Sequence, residues 1–219
     1  MPVRIPPRNH RSVTGLVASR KNSVMRAHES TLERDLLFLL EFDLNVATYE
    51  EQPVVIEYQD ADGLARTYTP DVLITYRKDV APAKSMPPLL AEVKYRQDLF
   101  ADWKVLKPKF KAARRFARER GWHFRILTEQ EIRTPFLENA RFLLRYQRLE
   151  MDWDKAQLLL LMIGELREAT PESLLMACSA DPMERAVLLP MLWHLVAIGT
   201  LGCDLNCKLT MHSPIWTMA

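Results

Sequence analysis

The sequence predicts an α/β fold built on a mixed β-sheet, followed by a smaller module of the winged-helix type. The chain has 219 residues, 48% of them hydrophobic, which is enough to bury one large domain or two small ones. Up to about residue 148, hydrophobic periodicity gives the order helix, three strands, helix, strand, which indicates an α/β sheet. Three helices and a hairpin-like tail follow, and this order suggests the winged helix.

The first helix is predicted from Thr31 to Phe42, because five leucines give it a broad apolar face. A strand follows at residues 52–58, and a turn at residues 60–63 contains Gly63, which accepts a positive φ easily. The returning strand covers residues 66–76.

Prolines at residues 82, 87 and 88 mark a loop before a third strand at residues 89–95. A long basic helix is predicted from Trp103 to Arg120, ending before Gly121, and a fourth strand covers residues 122–127. Helices at residues 153–166, 171–178 and 182–198 then form the C-terminal module. We therefore predict a basic arm at residues 1–28, the sheet domain at 29–148 and the winged-helix-like module at 149–219.

Charge is distributed in blocks, although the net charge is only +2. Residues 1–28 carry +6, residues 29–93 carry −8, residues 94–125 carry +8 and residues 126–219 carry −4. Clustered acids suit a cation, and flanking basic segments suit a polyanion, although ordinary solvated charge is the alternative. No apolar run is long enough to span a bilayer, and three cysteines give no disulfide framework, so we predict a cytoplasmic protein.

Asp71, Glu92 and Lys94 are the central candidate site residues. Strand alternation places Glu92 and Lys94 on one face of an otherwise apolar strand, where unpaired charges are costly. If the second and third strands are antiparallel, Asp71 comes close to Glu92. Such a set can hold a hard divalent cation against a phosphodiester. Separately, Glu92 and Lys94 could form a plain ion pair, and Pro70-Asp71 could be turn chemistry.

Glu33 is a further candidate acid, because it shares a helix face with Leu36, Leu37 and Leu40. Its alternative role is structural, since Ser30 and Glu33 also fit a capping box. Gln52 begins a strand and could orient a ligand, or it could be an exposed strand end. A zinc site at Cys203, Cys207 and His212 lacks an evident fourth ligand.

These segments resemble the TnsA family, the endonuclease subunits of heteromeric DNA transposases, whose catalytic domain is a restriction-endonuclease-like PD-(D/E)XK nuclease. The resemblance runs from about Ser19 to the end of the chain. It rests on the order and spacing of four segments, at residues 29–35, 51–53, 68–73 and 91–94.

The resemblance implies that Glu33, Asp71 and Lys94 are catalytic, with Glu92 at a position where some members carry glutamine. It implies a site for Mg²⁺ (or Mn²⁺) with Glu33, Asp71, Glu92 and the Val93 carbonyl as oxygen ligands. It also implies cleavage at the 5′ ends of the transposon. The basic helix would hold double-stranded DNA through Lys104, Lys107, Lys109, Lys111, Arg114, Arg115 and Arg118.

The partners implied are the transposon ends, a TnsB-like transposase subunit and a TnsC-like AAA+ ATPase regulator, without a membrane. The arm and the acidic C-terminal module are expected to serve this assembly, and the module is expected to bind the ATPase. Two alternatives stay open. One is a stand-alone nuclease of the same fold, of the restriction or junction-resolving kind, and the other is a non-catalytic DNA-binding scaffold subunit.

Overall fold

The computed structural model describes residues 15–17, 21, 26–28 and 30–218 of the chain. The chain forms two compact units, and the division falls between Arg133 and Thr134. Most of the predicted arm lies outside the described residues. Within it, strands β1 (Gly15–Val17) and β2 (Arg26–His28) pair antiparallel.

The first unit is organised around a four-stranded mixed sheet in the order β3-β6-β7-β8. Strands β3, β6 and β7 pair antiparallel, and β7 and β8 pair parallel, as the predicted mixed sheet requires. The strands are β3 (Val46–Glu51), β6 (Val72–Tyr76), β7 (Leu89–Val93) and β8 (His123–Leu127).

Helices cover both faces of this sheet. Helix α1 (Thr31–Phe42) buries leucines against Val72, Ile74, Ala91 and Val93. On the other face, α3 (Trp103–Glu119) packs its buried stripe against Leu90. Two shorter helices, α2 (Arg96–Ala101) and α4 (Glu129–Ile132), flank α3 and β8 along the chain. The α1 and α3 predictions are confirmed to within one residue at each end.

A separate two-stranded hairpin lies on the α3 side, formed by β4 (Ile56–Gln59) and β5 (Ala65–Tyr68). Its turn contains Gly63 at φ +79°, as the turn chemistry predicts. The predicted strand at residues 66–76 is divided, because β5 ends before Thr69-Pro70-Asp71 and β6 belongs to the central sheet. Proline has no N–H to donate to a ladder, which explains the break. The sequence prediction also missed β3.

The second unit contains α5 (Pro135–Gln147), α6 (Trp153–Leu166), α7 (Pro171–Cys178) and α8 (Pro182–Ala197). A three-stranded antiparallel sheet accompanies them, in the order β10 (Leu201–Cys203), β11 (Ile215–Thr217), β9 (Glu168–Ala169). The three predicted helices and the paired tail are present, while the winged-helix assignment stays a prediction.

The boundary between the units differs from the one predicted after residue 148. Helix α5 was not anticipated, and it packs against α8 through an edge-to-face contact of Phe142 with Trp193 at 5.3 Å. The Nδ1 atom of His194 also lies 2.8 Å from the carbonyl oxygen of Tyr146. Residues 134–148 therefore belong to the C-terminal unit.

Candidate active site

Asp71 lies just before β6, beside the end of β7. Val72 pairs with Ala91 across the antiparallel ladder. The same register places Asp71, one residue before Val72, opposite Glu92, one residue after Ala91. Asp71 Oδ2 accepts a hydrogen bond of 2.6 Å from the backbone amide of Val93. The antiparallel arrangement that the sequence required to bring Asp71 towards Glu92 is therefore present.

The pKa of the Asp71 carboxyl lies well above its usual range. The causes of this shift show which groups act on the carboxyl. Burial is the largest cause, and the negative charges of Glu92 and Glu33 raise the pKa further. The Val93 amide and the charge of Lys94 act in the opposite direction. Glu33, Glu92 and Lys94, all predicted from sequence, thus act electrostatically on this one carboxyl group.

Glu92 is only 3% exposed, and both of its carboxylate oxygens have partners. The hydroxyl of Tyr68 donates to Oε2 at 2.6 Å, and Lys109 Nζ donates to Oε1 at 3.0 Å. The simple alternative of an ion pair between Glu92 and Lys94 is therefore not what the structure shows. The partner of Glu92 comes from α3.

Lys109 was assigned from sequence to the DNA-binding face of the basic helix, and the structure turns it inward instead. Its side chain is 17% exposed, whereas the other six basic residues of that set are exposed. The signal was in the helical spacing, because residue 109 lies three after buried Leu106 and four before buried Ala113. Tyr68 was also missed, and nothing in its local sequence distinguishes it from a core tyrosine.

Glu33 lies in the first turn of α1 and is half-buried. The Ser30 hydroxyl accepts a hydrogen bond of 3.1 Å from the Glu33 backbone amide, so Ser30 caps the helix as predicted. The charge of Glu33 also reaches Asp71. Glu33 therefore acts electrostatically on Asp71, while its backbone amide takes part in the helix cap.

Lys94 directly follows β7, is half-buried and donates its backbone N–H to Leu127 at 3.1 Å. Val93 contacts Asp71 through its amide, whereas the sequence assigned its carbonyl as a ligand. Gln52 lies next to the site, because its backbone N–H donates to the Asp71 carbonyl oxygen at 2.9 Å. Gln52 has a φ of +48°, in the left-handed region that non-glycine residues adopt less often.

The donor chemistry of this cluster fits a hard cation, because carboxylate oxygens are the ligands that Mg²⁺ prefers. Positive charge beside Asp71 would offset the burial and the neighbouring acids that raise the pKa of its carboxyl. Within the described part of the chain, no three His, Cys, Asp or Glu side chains are gathered closely enough to hold a metal ion. That finding also applies to Cys203, Cys207 and His212. Magnesium commonly uses one or two carboxylates, with water and substrate phosphate completing its shell.

A second network joins α1 to the residue after Lys94. The Arg133 guanidinium donates to Asp35 Oδ2 at 2.9 Å, to the Thr31 hydroxyl at 3.0 Å and to the Tyr95 hydroxyl at 3.1 Å. Arg34 lies 3.4 Å from the other oxygen of Asp35. Sequence reasoning did not find this network, because Arg133 lies about 100 residues from Thr31 and Asp35 along the chain.

An open groove of about 730 Å³ lies between the β4–β5 hairpin and α3. Four exposed basic residues of α3 line it, at spacings that place them on one helix face: Lys104, Lys107, Lys111 and Arg115. The hairpin contributes Glu57, Tyr58 and Gln59. Arg114 and Arg118 are also exposed on α3 but do not line the groove.

A mixed α/β sheet carries two acids at adjacent strand ends, a lysine follows one of them, and α3 lines a basic groove, a combination that suits the class of α/β enzymes acting on a polyanion. Two family descriptions match this chain. Residues 43–129 match "TnsA-like endonuclease N terminal", and residues 131–205 match "TnsA endonuclease C terminal". The chain belongs to the TnsA family.

Its fold is therefore restriction-endonuclease-like in the first unit, and it is an endonuclease of a heteromeric transposase system acting on DNA. The two matched regions meet near residue 130, close to the structural division after Arg133. A comparison with curated proteins gave no match. Among the described residues, no helix is long and apolar enough to cross a membrane.

Proposed function

We propose that this chain cleaves the 5′ ends of a transposon by metal-dependent phosphodiester hydrolysis, in the cytoplasm and alongside a TnsB-like transposase subunit. The observation that carries the proposal is the position of Asp71 opposite Glu92 at the adjacent ends of β6 and β7, with Asp71 held by the Val93 amide and Lys94 directly after that strand. An acid with a perturbed pKa, gathered with a second acid and a lysine at one strand end, is typical of catalytic sites.

Asp71 would be the principal ligand of Mg²⁺ (or Mn²⁺), with Glu33, Glu92 and the Val93 carbonyl as further oxygen donors. When bound, the cation would supply Lewis-acid activation of the scissile phosphate and of the attacking water. The Val93 amide fixes the orientation of Asp71 by its 2.6 Å hydrogen bond. Lys94 would orient the nucleophile or neutralise charge that develops in the transition state.

The test compares strand cleavage by the wild type and by Asp71→Ala, Glu92→Ala and Lys94→Ala in the reconstituted assembly. We expect each variant to lose at least about a thousandfold in cleavage rate while binding DNA nearly as the wild type does. Asp62→Ala, an exposed turn residue, is the matched control. Cleavage at the wild-type rate by folded Asp71→Ala would contradict the proposal, and loss of DNA binding instead would favour the scaffold alternative.

We further propose that the groove between the hairpin and α3 holds the DNA backbone. Four positive side chains on one helix face suit a row of phosphates and would grip DNA of any sequence. Alanine at Lys104, Lys107, Lys111 and Arg115 together should make the slope of log K against log salt shallower by roughly three to four. Two single variants serve as the control. Lys107→Ala should reduce the slope by about one, whereas Lys84→Ala, on the loop before β7, should leave it unchanged. An unchanged slope in the quadruple variant would contradict this role.

The second unit is proposed to bind the TnsC-like AAA+ ATPase regulator. It has an apolar groove of about 470 Å³ between α6 and α8, where Met183 and Val187 are exposed. Charge supports a protein partner over DNA, since residues 134–219 carry −3. Met183→Ser with Val187→Ser should abolish capture of the ATPase, while Leu44→Ser in the first unit should not. Capture that is unchanged in the double variant would contradict this assignment.

Activity is proposed to depend on the assembly, so the purified chain alone should cut DNA poorly. Rapid sequence-specific cutting by the isolated protein would instead favour the stand-alone nuclease. Comparing one DNA substrate with and without the partner transposase and the ATPase decides between them.

A further inference from the structure

Lys109 lies on α3 but its ammonium group belongs to the surroundings of Glu92. The Nζ atom is 3.0 Å from Glu92 Oε1. It also lies 4.5 Å from the ring centroid of Tyr68 and 5.1 Å from that of Phe110. A carboxylate and two aromatic faces thus surround one ammonium group, an arrangement that favours a cation at that point.

Glu92 depends on these neighbours, because a buried carboxylate is costly unless it is paired and hydrogen-bonded. Lys109 holds one oxygen and Tyr68 holds the other, so the two partners fix the orientation of the carboxylate. Tyr68 packs edge-on against Phe110, with ring centroids 6.3 Å apart, and this contact ties the hydroxyl to the same helix.

The charge balance of the site gives Lys109 its importance. Without it, Lys94 would face the acids Glu33, Asp71 and Glu92. With it, the charge of Glu92 is matched by an ammonium ion that the fold supplies. The same oxygens are hard donors that a divalent cation would also bind.

We propose that Lys109 is a positioning residue whose ammonium ion serves as a built-in cation for Glu92. It holds the carboxylate against Tyr68 and competes with a divalent cation for it. The inference rests on the proposed metal-dependent function of this site, and it assigns to Lys109 a role separate from the DNA groove.

The test is the binding of Mn²⁺ to the full chain, followed by the electron paramagnetic resonance signal of free Mn²⁺. Lys109→Met keeps the apolar stem and removes the charge, so we expect Mn²⁺ to bind about tenfold more tightly, or one more ion to bind. Lys84→Met makes the same change of charge at an exposed position and should leave binding unchanged. Lys109→Gln, which can still donate to Glu92, should show the same gain if Lys109→Met does not fold.

The double variant Glu92→Gln/Lys109→Met asks whether the gain depends on Glu92. It leaves no unpaired charge, and we expect the extra Mn²⁺ affinity to disappear. A gain that persists in the double variant, or the absence of a gain in Lys109→Met and Lys109→Gln, overturns the inference.

Asp71→Asn separates this inference from the proposed function. Mn²⁺ binding that Asp71→Asn abolishes, with no gain in the Lys109 variants, overturns the role of Lys109 alone. Wild-type protein that binds no Mn²⁺, or binds it independently of Asp71, overturns both.

Discussion

Glu92 and Asp35 are both almost fully buried acids of the first unit, each about 3% exposed and each ion-paired, yet their surroundings differ. Asp35 meets two guanidinium groups, from Arg133 at 2.9 Å and Arg34 at 3.4 Å. Glu92 has one ammonium partner and adds its negative charge to the neighbouring Asp71.

The difference teaches that burial of an acid does not by itself mark a functional site. The cluster around Asp35 pairs one acid with two bases and connects α1 to Tyr95, which suits a structural clamp. Around Asp71, burial and the described acids Glu92 and Glu33 outweigh the Val93 amide and Lys94, so negative charge on this carboxyl is unfavourable until positive charge arrives. Excess charge of one sign, held in place by hydrogen bonds, separates a site from a clamp.

The largest effect on stability is expected at the clamp. Arg133→Met should lower the free energy of unfolding by about 3 kcal/mol, because it removes a charged partner that lies 2.9 Å from a buried acid. This is the lower end of the usual range, since Arg34 remains and Arg133 is 40% exposed. Urea denaturation measures the change.

The control is the double variant Asp35→Asn/Arg133→Met, which removes both charges and should recover most of the loss. If Arg133→Met abolished cleavage without any change in stability, the clamp would have to be assigned to the active site and the comparison would break down.

At Asp71 we expect a substitution to raise the stability of the protein rather than to lower it. Asp71→Asn keeps an oxygen for the Val93 amide and removes the excess charge, so it should stabilise the metal-free protein by up to about 2 kcal/mol at pH 8. Because the folded-state pKa of Asp71 is raised, wild-type stability falls as pH rises from the unfolded-state pKa of about 3.9 through the folded-state pKa. The side-chain amide of the Asp71→Asn variant cannot titrate, so this variant should lack the fall.

Urea denaturation with a chelator at pH 4 and pH 8 measures the difference between the two proteins. Asp62→Asn, at an exposed turn position, should change neither value. A loss of stability in Asp71→Asn at pH 8 would show that Asp71 is a structural acid like Asp35.

The sequence predicts those features of the fold and the site that depend on local interactions, and not those that depend on contacts between distant residues. Local periodicity and turn chemistry gave α1, α3 and the Gly63 turn, and the Pro70-Asp71 segment gave the first ligand candidate. The partners of Glu92 and Asp35 could not be predicted, because Lys109 and Arg133 reach them only after the chain folds. Helix α5 was missed although Thr134 and Pro135 mark its start, whereas its packing against α8 is long-range and could not be predicted.

The smallest expected effect on stability concerns the helix turn of Glu33, an acid with features of both kinds. Its backbone amide is capped by Ser30, while its charge reaches Asp71. Ser30→Ala removes the capping oxygen and should cost about 1 kcal/mol of stability, with cleavage largely retained. Glu33→Gln keeps the size of the side chain and removes the charge, so it should abolish cleavage with little change in melting temperature.

These two variants separate capping from catalysis because they alter different atoms of the same helix turn. Cleavage in the reconstituted assembly and thermal denaturation should be measured on both. If Glu33→Gln still cut at the wild-type rate, the charge of Glu33 would have no part in catalysis, and Glu33 would belong with Asp35 as a structural acid. Lost cleavage at unchanged melting temperature would place it with Asp71, since only a site whose chemistry needs the charge is sensitive to the replacement of one oxygen by an amide.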